Sequence, residues 1–437
     1  MMTWYKEADR KTRRVFWTCS AGWAMDSADG VVYSFLIPLL MVSLGLTLTE
    51  ATSIASANFF AAAIGGWLGG WLCDRFGRAR ILQITIAWFS FFAFLSGFAQ
   101  NYEQMLVIRV LQGLGFGAEW AVGAVLLGEM INPKHRGKAL GTVQSGAAIG
   151  TGLAALLAGP FASMFDPDLG WRIVFWMGIA PAILILFVRR ESDDSEIFKA
   201  AAKRNRELGR RTSMADIFKP NVVRITILAA LLSLGVQSAA YSISNFLTVF
   251  LTSERGLPIG TAGMCVLFNS AGGFFGFLTN AYISDSIGRR MVFRLFGVGF
   301  LLSASFYLFG PLGSNVPALM AVGFVYGFFQ FGSYASFGPY FTELFPTEVR
   351  GTGQAFAYNF GRAASALFFT GVALVAAQGV VLSTAMAMFA LGATCCSIFA
   401  TFLLPETAGR KLIGLDELDS KAAAEGKSVA SGVATEG

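Results

Sequence analysis

Gly70-Trp-Leu-Cys-Asp74-Arg75-Phe-Gly77-Arg78-Ala-Arg80 and Ile283-Ser-Asp285-Ser-Ile-Gly288-Arg289-Arg290 are two versions of one loop, 211 residues apart in a chain of 437. Each follows one long apolar stretch and precedes another. Further anchors return at nearly the same offset. Glu129 with Arg136-Gly137 comes back as Glu343 with Arg350-Gly351, 214 residues on, and Arg190-Glu191-Ser192 as Pro405-Glu406-Thr407, at 215. Matched anchors at a near-constant offset mean a duplicated chain. The expected organisation is two halves, residues 1–188 and 222–404, with a charge-rich linker at 189–221 and a tail at 405–437.

What lies between the anchors is apolar. Hydrophobic residues make up 55% of the chain and charged ones 14%, against about 25% charged in soluble domains. A helix needs about 20 apolar residues to cross a bilayer. Twelve such stretches can be placed, from Val15–Met41 to Val380–Leu404, among them Ala139–Met164, Trp171–Val188, Val222–Leu251 and Ala318–Phe341. The expected fold is an all-α membrane protein with twelve transmembrane helices in two six-helix halves. Nearly all of the 33 Lys and Arg then fall in the tails, the linker and alternate loops; Arg172 and Arg255 lie opposite, and Arg109 and Arg362 within spans. The positive-inside rule puts both termini in the cytoplasm, in a multi-pass protein of a bacterial inner membrane. Its basic clusters then face anionic lipid, so the net charge of +6 is not read as nucleic-acid binding. Five Cys without ligand spacing and a single His argue against a metal site. With no nucleophile–base pair or phosphate loop, an enzyme is not expected either.

Three acids (Asp26, Asp29 and Glu119) lie inside spans with Arg109 and Arg362. Ionisable groups in hydrocarbon cost about 2.5–3.5 kcal/mol each even on a lenient scale. Five of them imply a water-filled cavity, mutual pairing or both. A rise of about 1.5 Å per residue sets Asp26, Asp29, Glu119 and Arg362 near mid-depth, with Arg109 nearer the outer side. Full ionisation leaves one carboxylate without a cationic partner, and a carboxylate that can bind a proton is what proton coupling needs. Arg362 stays charged, and its planar fork suits a substrate carboxylate; the competing reading is an ion pair with an acid of the first half. Tyr358 and Asn359 lie about one turn away. Trp120, Gln237, Tyr241 and Tyr334, with Trp23, Gln144, Asn245, Asn269 and Gln330, are further pocket candidates, each also readable as helix packing. Gly113, Gly115, Gly117, Gly146, Gly150 and Gly152 are expected to let helices approach closely.

The pattern Gly-x-Leu-x-Asp-Arg-x-Gly-Arg at 70–78 resembles the signature loop of the major facilitator superfamily, and Arg109-Val-Leu-Gln-Gly113-Leu-Gly115-Phe-Gly117 resembles its fourth-span signature. Gly117-Ala-Glu119-Trp120 and the stretch from Glu343 to Gly353 are similar to its metabolite–, sialate– and aromatic-acid–proton symporter branches. The resemblance covers about residues 15–410. In proton-coupled sugar porters the matching first-span Asp pairs with the fourth-span Arg, which implies an Asp29–Arg109 pair loosened by a proton. Asp29 is therefore the first choice as proton carrier, with Asp26 and Glu119 in reserve. Asp74, Arg75, Gly77, Arg78, Glu129, Arg136, Asp285, Gly288, Arg289, Glu343 and Arg350 are expected to latch the halves at their cytoplasmic ends, or else only to fix loop shape. The expected function is import of a small organic anion, a mono- or dicarboxylate, aromatic or not, by a monomeric proton symporter using alternating access. Its partners would be the anion, protons and the lipid bilayer, with the proton as coupling ion and no cofactor. The rivals are a sugar or other neutral-metabolite symporter and an efflux antiporter.

Overall fold

A computed structural model describes residues 3–180, 194–207 and 213–412, and it contains helices and no strand among them. Helix α1 (Arg10–Leu44) has 35 residues, about 52 Å at 1.5 Å per residue. Its basic first turns therefore extend beyond a hydrocarbon layer of about 30 Å. Asp9 caps it by accepting from the Thr12 N–H, and Gly45 ends it in the left-handed region. Thr47 and Glu50 form a capping box that starts α2 (Leu48–Phe76). After it come α3 (Arg78–Ser96), α4 (Tyr102–Met130) and α5 (Arg136–Leu156). Helix α6 (Pro167–Met177) covers the start of the sixth span. The remainder of that span beyond residue 180, the anchor Arg190-Glu191-Ser192 and the tail from 413 lie outside the described residues.

The linker contributes α7 (Glu196–Glu207). The second half holds α8 (Val223–Ser244), α9 (Leu247–Ser253), α10 (Ile259–Ile287), α11 (Arg289–Phe309) and α12 (Val316–Gly332), then α13 (Phe337–Leu344), α14 (Arg350–Ala377) and α15 (Leu382–Leu403). Among the described residues, eight helical stretches are long and apolar enough to cross a membrane.

Among the expected stretches that are described throughout, three are broken. Ala139–Met164 leaves α-geometry after Leu156 and passes through a π turn, Leu157–Phe161, and a 3-10 turn, Ala162–Met164. Pro160 cannot donate to the Leu156 carbonyl. Ala318–Phe341 is interrupted by a 3-10 turn at Ser333–Ser336, where Pro339 likewise has no N–H for the Ala335 carbonyl. Val222–Leu251 divides at Asn245-Phe246 into α8 and α9.

Helix α1 packs on α5 and α2 on α4; correspondingly, α8 packs on α14 and α10 on α12. The halves meet through α2 against α14 and α5 against α10. Within each half the closest crossing is backbone to backbone. A Cβ on Gly117 would fall 1.7 Å from the Ala62 carbonyl oxygen, and one on Gly272 1.9 Å from that of Phe324, so only glycine fits. Gly113, Gly115, Gly146 and Gly150 are also tightly faced, whereas Gly152 looks into open space and joins no crossing.

Candidate functional site

Helices α1 and α4 bring the intramembrane charges of the first half together. Arg109 lies 3.5 Å from Asp29, with its guanidinium 4.8 Å above the Tyr33 ring. Gln112, one turn along α4, also donates to Asp29, and Asn58 of α2 holds the Arg109 carbonyl at 2.6 Å. Asp26 is fully buried, and neither of its carboxyl oxygens has a hydrogen-bond partner. It lies within electrostatic reach of Glu119, Arg362 and Asp29. Glu119 faces α1 at Gly22, where a Cβ would come within 2.6 Å of its Oε1. The acids thus fall in two layers, Asp29 with Arg109 on one and Asp26 with Glu119 on the next.

Arg362 extends from α14 toward the second layer. Its guanidinium is 5.4 Å from the ring of Phe116, in the other half, and 5.4 Å from that of Tyr358. Tyr241, Tyr334 and Asp26 are also among its electrostatic neighbours. Among the described residues no carboxylate forms an ion pair with it, and its Nε has no hydrogen-bond partner. Tyr358 stacks on Trp120 across the halves at 3.8 Å. The Trp120 indole donates to Gln144 (2.8 Å), whose amide donates to the Tyr334 carbonyl (3.2 Å). A small cavity beneath this stack is lined by Trp23, Glu119, Trp120 and Gln144. Arg362, Tyr358, Tyr241, Tyr334 and Trp120 therefore converge.

Other candidates turn away. The Gln237 amide donates to Ser233 and to the Tyr358 carbonyl, each at 2.8 Å, which fastens α8 to α14. Asn359 donates to the Ala355 and Gly117 carbonyls and presses on Gly66, so it belongs to the seam between the halves. Asn269 and Gln330 likewise tie helices of the second half to one another. Phe116, Gln112 and Asn58 were not among the candidates. Gln112 carried a readable signal, since a residue three after Arg109 on a helix shares its face; Phe116 and Asn58 carried none.

The duplicated loops meet at the end of the molecule that carries the basic tail and linker. Asp74 accepts from the backbone N–H groups of Gly351 (3.0 Å) and Thr352 (2.7 Å), capping α14 of the other half. Asp285 does the same for α5 through Gly137 (2.8 Å) and Lys138 (2.9 Å). Each aspartate also pairs with an arginine four residues on, Arg78 at 3.1 Å and Arg289 at 2.9 Å. The glutamates cross over too. Glu129 binds Arg350 at 2.7 Å and Arg78 at 3.4 Å; Glu343 binds Arg136 at 3.1 Å and Arg289 at 3.0 Å. All these side chains are buried, and the end they occupy is closed. Arg75 stands apart, exposed, with its guanidinium 5.4 Å from the rings of Trp71 and Phe76.

Gly77 and Gly288 turn with φ of 108° and 95°, where L side chains are strained. Each turn receives an acid. Asp194 accepts from the Ala79 N–H at 2.9 Å; Glu406 accepts from those of Arg289 (2.9 Å) and Arg290 (3.0 Å). Ser195 donates to Glu129 as Thr407 does to Glu343. The partner of Glu406-Thr407 is therefore Asp194-Ser195, and the expected match to Glu191-Ser192 is three residues out of register. Burial pushes the Glu406 carboxyl up, but N–H groups of Ala408, Arg289, Arg290 and Thr407 outweigh it and hold it below the ordinary range. That contribution is complete above the unfolded value of about 4.3 and disappears as pH falls through the folded one. The thermal midpoint of the detergent-solubilised protein should drop on acidification, and E406Q should show a shallower drop; equal slopes would remove this role.

Curated relatives match most of the chain. The chain is 40% identical over 420 residues to a probable 4-methylmuconolactone transporter of Cupriavidus pinatubonensis, covering 96% of each. It is 30% identical over 360 residues to the cis,cis-muconate transport protein of Acinetobacter baylyi, covering 81% of this chain and 85% of that one. A 3-(3-hydroxy-phenyl)propionate transporter of Escherichia coli is 29% identical over 310 residues, 71% of this chain and 73% of that one. The structure of a proton:xylose symporter superposes with a TM-score of 0.75 at 18% identity, over 94% of this chain and 98% of that one, a likeness of fold. The pattern that defines the Major Facilitator Superfamily runs through residues 18–370, and the chain belongs to that superfamily of membrane transporters.

Proposed function

We propose that this transporter imports a small, flat organic carboxylate together with protons, and that its closed basic end faces the cytoplasm. The observation that carries the substrate reading is Arg362, a permanent cation at mid-depth between two aromatic rings, with no carboxylate paired to it among the described residues. Such a group is completed by a ligand anion. Asp29 already has Arg109, and Asp26, though within electrostatic reach of Arg362, forms no ion pair with it among the described residues. Rings of Phe116 and Tyr358 beside the guanidinium, with Trp120 stacked on Tyr358, suit a planar, conjugated body. Relatives named for cis,cis-muconate and 3-(3-hydroxy-phenyl)propionate agree with this chemistry. The proton half of the proposal rests on the surplus of carboxylates over arginines in the same space, with Asp29 as carrier and Asp26 and Glu119 beside it. The orientation rests on the cation-rich loops.

Proteoliposome uptake under an imposed pH gradient tests this, with cis,cis-muconate, benzoate and lactate set against xylose. Carboxylates should accumulate and xylose should not compete. Asp29→Asn should lose gradient-driven accumulation yet retain exchange of internal for external substrate. Sugar uptake without carboxylate uptake would end the anion reading, and undiminished accumulation by Asp29→Asn would end that residue's role.

A further inference from the structure

Gln112 is 1% exposed, and its position is unusual for an amide. Its Nε2 donates to Asp29 Oδ2, the oxygen that also faces Arg109 at 3.5 Å. Its Oε1 is buried with no hydrogen-bond partner. An amide carries a donor at one end and an acceptor at the other. Turned as it is, it supports the carboxylate. Rotated about its last torsion, it offers an acceptor to the hydroxyl of the protonated acid. No other neutral side chain of the described residues donates to this carboxyl group. The charged and titratable groups around Asp29 are Arg109 from α4 and, on α1 itself, Asp26; the Tyr33 phenol lies beneath Arg109 and donates to the Ala51 carbonyl at 2.9 Å.

We infer that Gln112 is a positioning residue for coupling: it holds the ionised form of Asp29 more firmly than the protonated one and so sets the pH at which that carboxylate exchanges its proton during transport. This rests on the proton-coupled reading of Asp29 given above. A hydrogen bond to the charged form of an acid favours that form, so removing the donor should let the proton stay bound in more alkaline solution. The proton moves from outside water to the carboxylate and leaves to water on the other side, with no bond change at the amide.

The experiment uses the full chain in proteoliposomes and whichever carboxylate of the panel above the wild type takes up fastest. Initial uptake is measured over a series of external pH values, with exchange at equal internal and external pH as the control. Q112M, of similar shape but without the amide, should move the half-maximal pH upward by about one unit while exchange stays near the wild-type rate. Q112N, which keeps a shorter amide, should fall between the two. A Q112M profile that coincides with wild type overturns the assignment, as does a loss of exchange in Q112M when Q112N is unshifted. If the wild type itself shows no gradient-driven accumulation, the coupling reading falls and takes this inference with it. A coupled wild type with an unshifted Q112M defeats this inference alone.

Discussion

Arg362→Ala should weaken carboxylate binding by about thirtyfold or more and reduce uptake to background, with a smaller loss of thermal stability. Truncating one member of a desolvated charge pair costs about 2–5 kcal/mol, because the other charge is left unmatched. On the proposed reading the other member is the cargo, so the loss falls on affinity. Stability falls less: among the described residues no protein carboxylate is ion-paired with Arg362, and what disappears is its contacts with Phe116 and Tyr358, each worth about 0.5–2 kcal/mol, and its attraction for the nearby Asp26. Arg362→Lys should be intermediate, since the ammonium keeps the charge and loses the planar fork. Equilibrium binding of cis,cis-muconate in detergent, beside a melting curve, reads both quantities. An unchanged dissociation constant in Arg362→Ala would sink the assignment of this residue to the substrate.

The second large effect belongs to the closed end. Glu129 is wholly buried between Arg350 of the opposite half and Arg78 of its own. Glu129→Gln leaves Arg350 packed without its ion-pair partner and Arg78 with Asp74 alone. Removing one partner of a buried pair costs about 3–5 kcal/mol, and most of that penalty vanishes if the halves part and water enters. A bias of about 3 kcal/mol moves the closed-to-open ratio by roughly a hundredfold. Cys73 offers a native reporter: it is fully buried at this seam, and a Cβ on Gly351 would sit 2.3 Å from its sulfur. With Cys395 and Cys396 replaced by serine, maleimide labelling of Cys73 from the basic side should accelerate about as much as the ratio shifts. A labelling rate equal to that of the parent would mean that the pair shapes the loops without holding them shut.

Much of this was legible in the sequence, for physical reasons. The duplicated loops are short, charged and punctuated by glycine, so each residue in them has a narrow range of uses, and their pairing across the halves follows from repetition. Apolar runs are legible as spans because the bilayer imposes their length. The break at Asn245-Phe246 was not, because hydropathy averages over it. Depth along a helix can be counted, but direction around it cannot. Gln237 and Asn359 sit at the right level and spend their amides on neighbouring backbone, while Phe116, an ordinary phenylalanine among 42, lies against Arg362. The linker anchor slipped by three residues because a lone acid before a serine recurs by chance, and only the N–H group it caps, that of Ala79, fixes the register.

Helix α14 begins at Arg350 and carries Arg362 twelve residues later, a span of about 18 Å along one continuous ladder of hydrogen bonds. Bolt and cradle are thus machined on a single beam. On the proposed reading, cargo that settles against that guanidinium and tilts the helix would draw the amides of Gly351 and Thr352 away from Asp74, so an occupied seat would act on the door by leverage.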